Sequence, residues 1–237
     1  MASRNASFHE GVFAGALLAP LKIGFLLILG LVGVVVVAWI VDWTFVFKVW
    51  PEGVLRLKGI LAADLARTLE LAEWQGEVPS VVTGTANFLY GLVFGVTGIH
   101  DMGLRFAEGA ELSIPDTIVR NSYLANIDAI EVAMIGTQLL GVRLVPLAMM
   151  APLLMLMYLV AAADGLTQRA IRRACGGRES ASLYHRAKHL QVMLLVMGGV
   201  LVLIQPVSID PRLVGVPVAL LVGLLARLQW TCYKKHL

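Results

Sequence analysis

An all-α, polytopic membrane protein is the fold class this sequence predicts, and three observations predict it. Of its 237 residues, 58% are hydrophobic and only 15% charged, with a mean hydropathy of +0.80; water-soluble domains are about half apolar and a quarter charged. The apolar residues gather into runs of membrane length. Ile23–Val41, Leu144–Ala163 and Leu190–Ile209 carry no charge, and Leu213–Tyr233 carries only Arg227, so each is long enough to cross a hydrocarbon core of about 30 Å as a helix. The charges between the runs are segregated by sign. Residues 42–138 hold six basic and twelve acidic side chains, whereas 164–189 hold six basic and two acidic ones. Short basic loops stay in the cytoplasm. The expected order is therefore a cytoplasmic lead-in (1–22), a first span (23–41), an acidic helical periplasmic segment (42–138), a second span (144–163), a basic cytoplasmic hairpin (164–189) and two further spans (190–209 and 213–233). Both termini lie inside, in the bacterial inner membrane.

Each element has a local reason. Residues 1–22 set His9 and Glu10 against Val12, Phe13, Leu17 and Leu18, the pattern of a short amphipathic helix at the inner surface, broken near Pro20. The first span exceeds a signal-peptide core and ends in Trp39-Ile40-Val41-Asp42-Trp43 with no small-residue cleavage site, so it reads as a retained anchor. Trp43, Phe45, Phe47 and Trp50 suit a headgroup zone. Pro51-Glu52 suits a helix start. Leu57, Leu61, Leu65, Leu69 and Ala72 recur at helical spacing between charges, an amphipathic surface helix over 54–74 that Gln75-Gly76-Glu77-Val78-Pro79 ends. Residues 81–106 form a second, more apolar helix. Ser80–Ile99 has the length of a fifth span, but Asn87, three Thr and four Gly dilute it, and a fifth crossing would put a charged segment on the wrong side; it is expected in the outer interface or against the bundle. Ser113-Ile114-Pro115-Asp116 opens a helix running through Tyr123, Ile127, Ile130 and Met134 into the second span, which Pro146 and Pro152 bend. That helix continues to Cys175, stops at Gly176-Gly177 and restarts near Ser180.

Little in the chain has the pattern of catalysis. Gly176-Gly177-Arg178 lacks the spacing of a phosphate-cradling loop. His185 and His189 share a helix face, as metal ligands must, but no third ligand stands nearby and Lys188 repels a cation. Ser180 and Ser182 lie near His185 and Glu179 only in sequence, on a basic loop rather than a strained elbow; capping explains them. Cys175 and Cys232 both fall on the reducing side. Ionisable residues deep in spans mark transport pathways, yet Lys22, Asp42, Arg143 and Arg227 stand near span ends, where snorkelling explains them; only Gln205 lies deeper. Gly30-x-x-Gly33, Gly91-x-x-x-Gly95 and Gly198-Gly199 are small-residue surfaces for close helix approach, and would also suit an oligomer. No catalytic residue, cofactor or metal is expected.

The hairpin is the most specific segment. Asp164-Gly165-Leu166 through Arg169, Ile171-Arg172-Arg173, Gly177-Arg178-Glu179-Ser180 and Tyr184-His185-Arg186-Ala187-Lys188, with Trp50-Pro51-Glu52, Gln205-Pro206-Val207-Ser208-Ile209-Asp210-Pro211 and Lys234-Lys235-His236-Leu237, resemble the integrating conjugative element inner-membrane proteins. That group of unknown domain function is itself similar to the TraJ-type inner-membrane proteins of conjugative elements. Ser80–Ile99 departs from the pattern, standing where the family carries a more polar, tryptophan-rich stretch, which implies a different partner for the outer surface. The resemblance implies a non-enzymatic accessory subunit of a conjugative type IV secretion or coupling complex, close to the coupling ATPase and other conjugation membrane proteins. Arg169, Arg172, Arg173, Arg178, Glu179, Tyr184, His185, Arg186 and Lys188 are the expected docking residues for that ATPase, in competition with the topological role of the same charges and with anionic lipid contact. No direct nucleic-acid binding is expected. A small transporter or channel is the rival reading.

Overall fold

The computed structural model describes residues 24–26, 28–72, 78–107, 114–176 and 181–233. They are helical, with no strand among them. In chain order the helices are α1 (Gly24–Val49), α2 (Val54–Ala72), α3 (Val78–Tyr90), α4 (Ile99–Ala107), α5 (Ile114–Ala125), α6 (Ile127–Met149), α7 (Ala151–Ala174), α8 (Ala181–Ile204) and α9 (Pro211–Thr231). Four helical stretches are long and apolar enough to cross a membrane: Gly24–Val49, Ile127–Ala174, Ser182–Ile204 and Pro211–Thr231. The lead-in at 1–22, the stop at Gln75–Glu77, the Ser113 cap and the segment 177–180 fall outside the described residues.

From Ala38 onward the chain forms one compact unit, built in two layers. The first layer packs the end of α1, α2 and α3 around α6. Trp39 Nε1 donates to Thr137 Oγ1 at 3.0 Å and Trp43 Nε1 to the Ala129 carbonyl at 2.9 Å, so α1 runs antiparallel to α6. Val46, Leu57, Ile60, Val132, Ile135 and Leu139 form one buried cluster, against which Trp43 and Trp50 pack. Two of the aromatic residues assigned to a headgroup zone thus seal a protein core, while Phe47 stays exposed. A second cluster joins Val82, Ala86, Val142 and Val145 to Leu61, Leu65 and Leu69. Gly141 lets α3 and α6 cross closely, since a Cβ there would lie 2.6 Å from the Ala86 Cα. In the second layer α9 packs against both α7 and α8. Gly165 allows that contact on α7: its added Cβ would strike the Arg227 carbonyl and the Trp230 Cβ.

One helical column joins the layers. Ile127–Ala174 is 48 residues long, about 72 Å at 1.5 Å per residue, more than twice a hydrocarbon core. The turn at Met150 barely interrupts it, with its N–H donating to the Pro146 carbonyl at 3.1 Å and its carbonyl accepting from Leu154 N–H at 3.0 Å. The apolar run Leu144–Ala163 straddles this junction.

Several local expectations are corrected. The helix expected from Pro51 begins at Val54, because residues 51–53 form a turn closed by Gly53 at φ 57°, a left-handed value that favours glycine. Residues 81–106 are not one helix: a wide turn at Gly91–Gly95 and Gly98 at φ 73° divide α3 from α4, and the stretches Pro79–Gly95 and Ile99–Phe106 meet at 76°. That bent pair would make a fifth crossing only as a broken span. The helix expected to run through Tyr123 into Met134 breaks at Asn126, whose Nδ2 donates to the Ser122 carbonyl at 2.9 Å; asparagine side chains compete in this way with the helical ladder. Gly91 and Gly95 face no neighbour within 4 Å, so among the described residues they mediate no close helix approach.

Candidate functional site

The basic hairpin forms the end of the second layer where α7 leads into α8. α7 ends on Arg172 and Arg173, cations in the last turn that suit the negative end of the helix dipole, and Gly176 at φ 73° follows the Cys175 cap. Two of the nine expected docking residues, Arg169 and Tyr184, meet on Tyr233, which sequence reasoning did not single out as a site residue, and a third, His185, packs against Tyr184. The Arg169 guanidinium lies 5.2 Å from the centre of the Tyr233 ring, and the Tyr184 ring packs edge-on to Tyr233 at 5.6 Å and to His185 at 5.2 Å. Trp230 extends the stack, 5.6 Å from Tyr233, while its Nε1 donates to the Tyr158 hydroxyl at 3.1 Å. Arg172 is half-buried; Arg173, His185, Arg186 and Lys188 are exposed. Arg178 and Glu179 lie outside the described residues. His189 is exposed as well, and among the described residues no three of His, Cys, Asp and Glu gather in metal-ligand proximity.

The opposite end of the same layer holds a buried ionic cluster. Arg143, inside α6, is only 4% exposed, and its Nε donates to Asp64 Oδ2 of α2 at 2.7 Å. The rest of the guanidinium reaches the carbonyls of Leu203 at 3.2 Å, Gln205 at 2.6 Å and Val207 at 3.3 Å. These are the terminal carbonyls of α8 and of the turn into α9, which have no helical partner of their own; a cation there also meets the negative end of the α8 dipole. Ser208 Oγ donates to Asp64 Oδ1 and accepts from Arg67 Nη1 at 2.7 Å. Thr68 Oγ1 donates to the Asp64 carbonyl at 2.7 Å. One arginine thus binds α6, α2 and the α8–α9 turn together.

Snorkelling at span ends is therefore corrected for Arg143 and Asp42. Arg143 is enclosed by partners. Asp42 is likewise only 4% exposed, lying against α6 where Gly136 has no side chain; a Cβ at Gly136 would overlap its Oδ2. Arg227 pairs with Asp164 across α7 and α9, both about half exposed. A signal for the cluster existed in the sequence: Asp64 and Thr68 occupy the apolar phase of α2, in step with Leu57 and Leu61. An acid in that phase needs a buried partner.

Comparison with known families places the chain among conjugative DNA transfer proteins. It belongs to the DtrJ-like family, described as IncC plasmid conjugative DNA transfer protein DtrJ-like, which matches residues 59–234. The matched region holds Asp64, Arg143, Ser208 and the whole basic α7–α8 end. The resemblance to conjugative transfer proteins drawn from the hairpin motifs agrees with this family. No curated protein and no solved structure matches the chain.

Proposed function

We propose that this protein is a non-enzymatic inner-membrane subunit through which a conjugative type IV secretion or coupling complex holds its coupling ATPase. Membership of the DtrJ-like family carries the role in conjugative DNA transfer; the site assignment goes further. The observation that supports it is the display of Arg172, Arg173, Arg186 and Lys188 at one end of a helical bundle, with Arg169 and Tyr184 packed on Tyr233 behind them and His185 against Tyr184. Cations on a rigid, aromatic-backed base suit an acidic protein surface, because little side-chain order is lost on docking. In this reading the basic end and both chain termini face the cytoplasm, and the first layer, with its net acidic sequence, faces the periplasm.

The experiment is copurification. The intact protein, extracted in mild detergent from cells carrying the conjugation machinery, should bring down the coupling ATPase as identified by mass spectrometry, and Arg172→Ala with Arg173→Ala should lose it. Recovery of the ATPase at wild-type yield with the double variant would overturn the assignment. A small transporter or channel is the second reading, favoured by the buried Asp42, since intramembrane carboxylates mark ion pathways. Solute-dependent flux in proteoliposomes, lost on Asp42→Asn, would establish it.

A further inference from the structure

The two polar clusters of the second layer lie about one bilayer apart. From Tyr184 to Ile204 along α8, and from Pro211 to Trp230 along α9, the chain climbs about 30 Å at 1.5 Å per residue, the thickness of a hydrocarbon core. The faces between are apolar and exposed: Val192, Met193, Val196 and Leu201 on α8, Leu220 and Leu224 on α9. Arg143, Asp64 and Ser208 therefore mark one headgroup level, and Arg169, Tyr184, Trp230 and Tyr233 mark the other.

At that second level three chain elements converge. α7 presents Gly165, Arg169 and Arg172 along one face, spaced three and four apart. Gly165 touches the last turn of α9, and Arg169 stacks on Tyr233 just beyond it. Arg172, one turn further, extends past the end of α9. α8 contributes Tyr184, with Lys188 one turn away on the same side. Neither Tyr184 nor Tyr233 makes a hydroxyl hydrogen bond among the described residues, and no ion pair joins Arg172 or Lys188 to any of them. The nearest acid of α7, Asp164, is held by Arg227. Two phenol hydroxyls, a stacked indole and several cations at headgroup depth are the groups that recognise a phosphate ester next to acyl chains.

We propose that this corner, formed by Arg169, Arg172, Tyr184, Lys188 and Tyr233, is a seat for the headgroup of an anionic phospholipid. It rests on reading α7, α8 and α9 as membrane spans; it shares Arg172 and Lys188 with the proposed docking surface, but lipid binding by the isolated protein is read without any ATPase present. The lipid phosphate lies between α7 and α8 with its acyl chains against the apolar faces above, and it steadies the basic end from the membrane side. Net positive charge selects a phosphatidylglycerol or cardiolipin over a zwitterionic lipid.

The test uses the full chain in nanodiscs or neutral detergent, titrated with phosphatidylglycerol, cardiolipin, phosphatidylcholine and inorganic phosphate, with bound lipid read by native mass spectrometry and by thermal shift. Anionic lipid should bind and raise the melting temperature, while phosphatidylcholine and inorganic phosphate do not. Tyr184→Phe with Tyr233→Phe keeps both rings and every charge, so folding is retained, and Arg172→Gln with Lys188→Gln removes two cations of the seat. Each pair should weaken binding by about tenfold, the loss that goes with charge-assisted hydrogen bonds. Arg173→Gln with Arg186→Gln removes the same charge outside the seat and should weaken binding by no more than about threefold. Equal losses from the two charge pairs, no loss from the Phe pair, equal binding of phosphatidylcholine, or competition by inorganic phosphate alone would each overturn the seat.

Discussion

Among the described residues three ion pairs join one helix to another, and two of them, Asp64–Arg143 and Asp164–Arg227, do so under opposite conditions. Asp64 and Arg143 are 7% and 4% exposed, with further polar partners around them; Asp164 and Arg227 are 45% and 51% exposed and, among the described residues, their charged groups pair with each other alone. Coulomb attraction is strong away from water, but so is the penalty for a charge left alone there. An exposed pair is screened and solvated, so its partners can part at small cost. The buried pair therefore acts as an obligatory clamp between the two layers, and the exposed pair as a local contact between α7 and α9.

The largest expected effect tests that difference. Arg143→Met strands the Asp64 carboxylate and three carbonyls in a closed site, and should destabilise the protein by about 3–5 kcal/mol, read as denaturant or thermal unfolding in detergent. Arg143→Met combined with Asp64→Leu removes both charges and should recover much of that loss. A single variant as stable as the wild type would show that the clamp is no clamp. Next comes the close crossing of α3 and α6: Gly141→Val forces a side chain onto the Ala86 backbone and should cost about 1–3 kcal/mol. Gly91→Ala, with nothing within 4 Å, is the internal control and should change little. The smallest effect belongs to the exposed pair. Asp164→Asn should shift stability by no more than about 1 kcal/mol, and less at high salt; a loss matching that of Arg143→Met would mean that exposure is a poor guide to these charges.

The same contrast separates what the sequence made legible from what it hid. Apolar run length and charge sign are local properties, and from them the all-helical character and the four candidate spans could be read. The stop of α7 at Cys175 and Gly176 was legible too, because a glycine ending a helix acts through its own backbone. The clamp was not. Asp64 and Arg143 are 79 residues apart, and by position alone an arginine near the end of an apolar run looks like one reaching for headgroups. Only the third dimension shows that the α8–α9 turn fills the space where water would have been. The continuity of α6 into α7 as far as Cys175 was legible, and Pro152 does not oppose it because it occupies the first turn of α7, where no N–H is needed; the break at Asn126 ahead of α6 was not. Among the hairpin residues, motif reading selected Arg169, Tyr184 and His185 but not Tyr233, the ring on which two of them rest, since it stands at the far end of the next helical hairpin.

The central claim is that the basic α7–α8 end docks the coupling ATPase, beyond any role in setting orientation. A mating assay with Arg172→Ala and Arg173→Ala tests it most directly, scored beside membrane insertion of the same variant. Four of the six cations between 164 and 189 remain, enough to hold topology, so insertion should be unchanged while DNA transfer falls on the order of tenfold or more, as when charged anchors leave an interface. Transfer at the wild-type frequency, with the variant inserted at normal abundance, would contradict the claim and leave the cluster to topology alone.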